Sequence, residues 1–448
     1  MKGEKNIFFN SIQSNKGDNM NYFYKLFKSL ILIIMPIMCY AADDIHVVFQ
    51  TGGDVLVARE YKERFESKNN VKLSIEEIPG GNLYEKLVTE FITKSGAYDL
   101  VEFYPTWLGG YAEAGYLEPL DKYFKQYENE INPSDYLEGV QNAATVWKGT
   151  RYGIPYDGDV LIFYYRKDLF SNQKYQNEFK KTFGYPLKAP DTWDQVLDMA
   201  VFFDGREKGL KGISMVSMRL WWAVGYWTSV YYSYGGRFID EETGDIVLNR
   251  DAWNKSNAVW LQMIKHAPDG VLNFGYTETK ESIGSGEAAM GIQWATTVFV
   301  DPRQSPAHDK LGFAVMPGVK KADGSIYRAP PLPVGKVLAI PSASKHKDMA
   351  FKFGMLLSST EAQVWATVSG TGIDPNRRSV FENASVKEAW KGMISVYRKS
   401  LEIGVSDIRV PNSAKYYDIV SGELHSVWSG TKSSNDAFND TLQEWKDL

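Results

Sequence analysis

The sequence predicts an α/β protein of two lobes, each a mostly parallel sheet flanked by helices, with the chain crossing between lobes inside ordered strands. Three observations predict it. A chain of 448 residues exceeds what one core usually organises. Strand and helix patterns alternate from residue 43 to about 107, which calls for a parallel sheet. After residue 161 the alternation starts again, and no low-complexity linker separates the two halves.

The alternation opens with "DIHVVFQ", an apolar strand that turns on Gly52 and Gly53 into a helix whose Ala58, Tyr61 and Phe65 share one face. "VKLSIEEI" reads as a second strand, and "NLYEKLVTEFIT" as a helix carrying Leu83, Leu87 and Phe91 at four-residue spacing. "YDLVEF" is a third strand, buried. Ligands of parallel sheets sit beyond the carboxyl ends of the strands, which here are Thr51 to Asp54, Pro79 to Asn82 and Tyr104 to Trp107. Further on, "PDTWDQ" places Thr192 and Gln195 at capping-box spacing before an apolar helix face. "GEAAMGIQWA", "KLGFAVMPGV" and "GKVLAIPS" read as strands, and the last hundred residues as mostly helical.

The N-terminus reads as an export signal rather than as part of the fold. From Met20, the preferred start, Lys25 and Lys28 precede an apolar run from Leu30 to Met38, and Ala41 and Ala42 precede two acids. The run is shorter than the roughly 20 residues that span a bilayer. Residues 1–19 are read as an upstream extension, 20–41 as the signal, and release into the periplasm is expected in preference to a lipid anchor, because Met38 precedes Cys39 where such signals carry a small residue. Cys39 is the only cysteine, so the exported chain is expected to hold no disulfide. Beyond residue 41 lie 45 of the 50 basic and 53 of the 55 acidic residues, a net charge of −8 that argues against nucleic acid or an anionic membrane as partner.

Several chemistries lack their residues. No G-x-S-x-G elbow or P-loop is present, no G-x-G-x-x-G follows a recognisable strand, and the five histidines are scattered without zinc-ligand spacing. No metal, cofactor or catalytic residue is therefore expected.

What is present points to hydroxyl recognition. Asp157 and Asp159 stand two apart in "YGIPYDGDVLIFYYRKDLF", where ionised carboxylates can accept from two hydroxyls at once. The aromatic stretch "RLWWAVGYWTSVYYSYGG" surrounds a helix; core packing is the commoner use of any one ring, but rings on several faces suggest that some of them face a ligand. Trp107 and Trp294, each beside a strand end, offer flat platforms for a sugar ring. Arg377, in a loop shaped by Gly370, Gly372 and Pro375, is a candidate donor. The same acids and rings also suit a polyamine or another small cation. A glycoside hydrolase is the third reading, disfavoured because Asp157 and Asp159 lie on one side of a strand, whereas hydrolysis needs carboxylates flanking the scissile bond, roughly 5 to 9.5 Å apart.

In the order of its motifs the chain resembles the family 1 solute-binding proteins of ABC importers, the group that includes maltose-binding protein. "YGIPYDGDVLIFYYRKDLF" is the most specific part, supported by "YDLVEFYPTWLGGYAEAGYLEPLD", "APDTWDQ", "YGGRFID", "GSGEAAMGIQWA", "GFAVMPG" and "KVLAIPSASKHKDMAFKFGMLL". The resemblance covers nearly all of the exported chain. It implies a two-lobed periplasmic-binding-protein fold of type II, with residues 43–156 and 298–340 in the first lobe and 161–293 and 346–448 in the second. Hinge crossings are then expected near 157–160, 294–297 and 341–345. It implies a monomer, not an enzyme, that binds a sugar or polyol between the lobes and presents it to ABC permease subunits. The implied contacts are Gly52, Gly53 and Asp54; Gly81 and Asn82; Tyr104 and Trp107; Asp157 and Asp159; Trp222 and Tyr226; Trp294; and Gly372 with Arg377. Where the family often carries a Gly-Gly pair this chain reads "PPLPVGKVLAI", a departure in the expected pocket wall.

Overall fold

Strand β1 (Asp43–Gln50) buries Val47, Val48 and Phe49, and the chain then turns at Gly52, whose φ of 133° disfavours any L side chain. The structure, a computed structural model, describes residues 43–295, 306–332 and 335–448, so the expected export signal and Cys39 lie outside the described residues. Helix α1 (Asp54–Asn69) packs the expected face of Ala58, Tyr61 and Phe65 inward, and after β2 (Val71–Ile78) helix α2 (Gly80–Thr93) does the same with Leu83, Leu87 and Phe91. Next come β3 (Leu100–Phe103), β4 (Gly153–Pro155) and β5 (Leu161–Arg166).

Helix α3 (Trp193–Phe203) begins on the expected capping box: Thr192 accepts from the Gln195 amide while the Gln195 side chain reaches back. It leads to β6 (Lys211–Ser214), α4 (Val224–Ser233), α5 (Arg250–Lys265) and β7 (Ala288–Trp294). Then follow β8 (Leu311–Ala314), β9 (Val337–Ala339), α6 (Lys347–Leu357) and α7 (Thr360–Ser369). Helices α8 (Ser413–Trp428) and α9 (Ser434–Lys446) complete the chain.

Two sheets organise residues 44–448, in the orders β2-β1-β3-β9-β4 and β8-β5-β7-β6. Both are mixed. β1 runs parallel to β3 and β6 parallel to β7, as strand-helix alternation dictates, but β9 lies antiparallel between β3 and β4, and β5 antiparallel between β7 and β8. The antiparallel strands are those the chain lays down after it has crossed from one lobe to the other.

That crossing pattern departs from the expected boundaries. Residues 311–314 were expected in the first lobe, yet β8 pairs with β5 in the second sheet, so at that point the chain has not returned. Residues 346–369 were expected in the second lobe, yet Ala350, Phe351, Phe353, Ala362 and Ala366 share a core with Val47, Ala58 and Phe65 of the first. The physical reason is burial: α6 and α7 cover α1 and the face of the first sheet that would otherwise be wet. The expected crossings near 294–297 and 341–345 are accordingly replaced by passages between β8 and β9 and at residues 370–377. Between β4 and β5, residues 156–160 form the first passage.

The three passages meet. The Gly158 amide donates to the Asp374 carbonyl at 3.0 Å, the Asp157 amide to the Lys336 carbonyl at 3.0 Å, and the Tyr397 hydroxyl to the carbonyls of Gly158 and Pro375. A Cβ on Gly335 would lie 2.3 Å from the Asp157 carbonyl oxygen, so only glycine allows this approach.

Candidate functional site

The carboxyl ends of the first sheet and the meeting passages enclose a cavity of about 360 Å³. Its first wall is the turn after β1, with Gln50, Gly53 and Asp54, together with Tyr104 after β3. Asp157, Asp159 and Lys336 form its floor. Trp222, Tyr276 and Trp294 face it from the second lobe, and Thr371 and Gly372 complete the rim.

The floor is a buried charge cluster. Lys336 Nζ donates to Asp54 Oδ1 at 2.9 Å and lies 3.7 Å from Asp157 Oδ2, with the Tyr104 ring 5.6 Å away. Asp157 Oδ1 accepts from the Asp374 amide at 2.8 Å, and Asp54 Oδ2 from Gln50 Nε2 at 3.3 Å. The Tyr104 hydroxyl donates to Gln50 Oε1 at 2.7 Å, which fixes the orientation of the Gln50 amide. Burial pulls the Lys336 ammonium down, but Asp54, Tyr104 and Asp157 around it win and hold it well above its ordinary value. Burial pushes the Asp157 carboxyl up to about 6 despite Lys336, and raises Asp159 well above the carboxylate range, with the Asp157 charge adding to it. Behind the cluster Glu102 on β3 is fully buried and likewise pushed up, first by burial and then by Asp54. Its Oε2 accepts from the Gln50 amide at 3.4 Å while Oε1 meets no partner among the described residues.

Of the residues named from the sequence, Gly53, Asp54, Tyr104, Asp157, Asp159, Trp222, Trp294 and Gly372 line this cavity. Five do not. Gly81 and Asn82 are exposed on the first turn of α2. Trp107 is buried against Tyr84, Tyr104 and Tyr111. Tyr226 is wholly buried, its hydroxyl donating to Gln293 Oε1 and its ring supporting Trp294 at 5.3 Å. Arg377 is 2% exposed and structural: its guanidinium donates to the carbonyls of Ile131 and Ser358 and lies 3.8 Å over the Tyr136 ring.

The aromatic stretch divides differently from the expectation. α4 is apolar on every side because it is buried on every side: Trp227 stacks on Tyr231 and meets Trp253, and Tyr232 reaches Asp407. Only Trp221 and Trp222 of the short turn before it are half-exposed toward the cleft. Sequence reasoning missed Gln50, Tyr276, Thr371 and above all Lys336. The only local signal for Lys336 is a lone cation between Gly335 and the apolar run "VLAI".

Two α/β lobes joined by strand passages, with acceptors, one cation and ring faces gathered between them, define a protein that binds a solute in a cleft. The chain belongs to the bacterial extracellular solute-binding proteins, a family whose match extends over residues 54–364. A mannitol-binding protein of Pseudomonas aeruginosa is 24% identical over 360 residues, covering 79% of this chain and 75% of that one. A solute-binding protein of Agrobacterium radiobacter K84 in complex with ribitol superposes with a TM-score of 0.77 at 23% identity, covering 91% of this chain and 98% of the other. Maltose-bound MalE3 of T. maritima gives 0.73 at 22% identity, covering 91% and 100%. These solved structures share the fold. Among the described residues no helix is long and apolar enough to cross a membrane.

Proposed function

We propose that this protein is the substrate-binding component of an ABC importer, that it carries a sugar or sugar alcohol in the cleft above Lys336, and that it releases it unchanged to the permease. The observation that carries this reading is the floor: carboxylates that can accept from hydroxyls, compensated by one internal ammonium, beneath the rings of Trp222 and Trp294. A neutral, hydroxyl-rich ligand needs such a balance. A polyamine would instead favour carboxylates left free for it, whereas here Lys336 occupies the cationic place between Asp54 and Asp157. The mannitol-binding and ribitol-bound relatives support the same ligand class. Catalysis is not part of the reading: Lys336 stands between Asp54 and Asp157, where a hydrolase would need carboxylates flanking a space for a bond to be broken. Residues 20–41 would direct the chain to the periplasm, where it acts as a monomer.

Closure follows from differential affinity, because a ligand touching both the Asp54 wall and the Trp222 wall stabilises the state in which both are near. A thermal-shift screen against sugars, sugar alcohols, amino acids and polyamines tests the reading. A bound ligand at 100 times its dissociation constant adds about 2.7 kcal/mol of stability. Stabilisation by a polyamine or an amino acid, with none by any sugar or sugar alcohol, overturns it.

A further inference from the structure

We propose that Trp221 and the segment 405–413 form a fixed plug at one end of the cleft, so that the site takes a single sugar unit or an acyclic sugar alcohol and excludes longer glycans. This rests on the carbohydrate reading above and adds a size limit to it. Trp221 follows β6 as Trp107 follows β3, so both rings stand at the ligand side of their sheets. They meet there: Trp221 lies 6.3 Å from Trp107, and 5.4 Å from Tyr104 in an edge-on contact at 82°. Its other neighbour is Tyr417 of α8, at 6.2 Å. The adjacent Trp222 lines the cavity, so one short turn supplies both a wall and a stopper.

Tyr417 belongs to α8, and the segment 405–413 that leads into α8 is bonded to both lobes. On the first lobe, the Gly109 amide donates to the Arg409 carbonyl at 2.9 Å and the Ser413 hydroxyl to the Thr106 carbonyl. A Cβ on Gly109 would come within 2.1 Å of that Arg409 oxygen. The Arg409 guanidinium caps the helix Glu138–Thr145 through the carbonyls of Asn142 and Ala143 and pairs with Glu241. On the second lobe, the buried Asp407 carboxylate accepts from the Tyr232 hydroxyl at 3.0 Å. A cavity of about 360 Å³ then lies near the lower end of the range of roughly 300–1,000 Å³ for small-molecule sites.

Isothermal titration of the protein with D-mannitol, ribitol, D-glucose, maltose and maltotriose tests this. The expected result is that the best single-unit compound binds about 100-fold or more tighter than maltose or maltotriose, a discrimination of about 2.7 kcal/mol. Trp221→Ala should narrow that ratio to about tenfold or less while single-unit affinity changes by about fivefold or less, and Trp221→Phe should preserve the ratio. Wild-type binding of maltotriose as tight as that of the best single unit overturns the plug and leaves the carbohydrate reading standing, and needs no variant to fold. An unchanged ratio in folded Trp221→Ala also overturns it. Silence of the wild type toward all five compounds, together with silence toward every sugar and sugar alcohol in the thermal-shift screen, rejects the carbohydrate reading and the plug with it.

Discussion

Lys336 Nζ donates to Asp54 Oδ1 at 2.9 Å, tying the strand that returns to the first sheet to the helix that leaves its first turn. Both side chains are largely buried, and Asp157 lies on the far side of the same ammonium. Removing the cation leaves buried carboxylates without their counter-charge. Lys336→Met should therefore cost about 3–5 kcal/mol of stability, measured by urea denaturation. Adding Asp54→Asn should restore part of that loss, because one of the uncompensated charges is then gone. A double variant no more stable than Lys336→Met would show that the pair is not the source of the cost.

Asp157 gives a pH dependence whose sign is opposite to that of a salt-bridged surface acid. Its carboxyl titrates near 6 in the folded protein, against an ordinary value of 3.8, so between those values the folded state holds more protons than the unfolded one. Stability from this group is therefore highest below about pH 4 and declines as pH rises to about 6. Acids held down by partners, such as Asp168 beside Arg166, slope the other way, so the effect must be isolated by difference. From pH 4 to 7 the stability of Asp157→Asn relative to wild type should rise by on the order of 2 kcal/mol. A flat difference curve removes the shift.

Arg377 and Gly81 separate structural from ligand-facing roles. Arg377→Met should lose about 3 kcal/mol of stability, since it strands the carbonyls of Ile131 and Ser358, while the dissociation constant of the folded variant stays within about threefold. Gly81→Ala meets nothing within 4 Å and should change stability by no more than about 1 kcal/mol, with unaltered affinity. A loss of affinity larger than about tenfold in either variant would return that residue to the site.

Gly53→Ala is the contrasting case. The added methyl would sit 1.6 Å from the Thr371 carbonyl oxygen, in a backbone geometry that alanine itself tolerates, with φ at −65°. The loop at Thr371 and Gly372 must then withdraw, at a cost of about 1–3 kcal/mol and with weakened ligand binding, because the same loop forms the rim. Denaturation and calorimetry on the one variant read both effects.

Local pattern and tertiary assignment account for what could be read from the sequence. The faces of α1 and α2 and the Thr192 cap were legible, because helical spacing and capping are local. So were Asp54, Asp157 and Asp159, through their place at strand ends and at the first passage. The lobe of β8 was not: "LGFA" reads as a buried strand whichever sheet receives it, and only pairing with β5 decides. Lys336 looks like any lysine until three distant segments bring carboxylates to it. Tyr226 and Trp227 satisfy equally a sugar-facing helix and one buried on every side, and composition cannot tell these apart.

The position of β9 also constrains how the protein is made. It separates β3 from β4, so β4 has no neighbour in the first sheet until residues 337–339 have been synthesised, although four of the five strands are finished by Pro155. Such long-range pairing makes for slow folding, since the loop must close before its contacts form. The edge of the first sheet that carries β4 is therefore completed late, when residues 337–339 enter between strands already made.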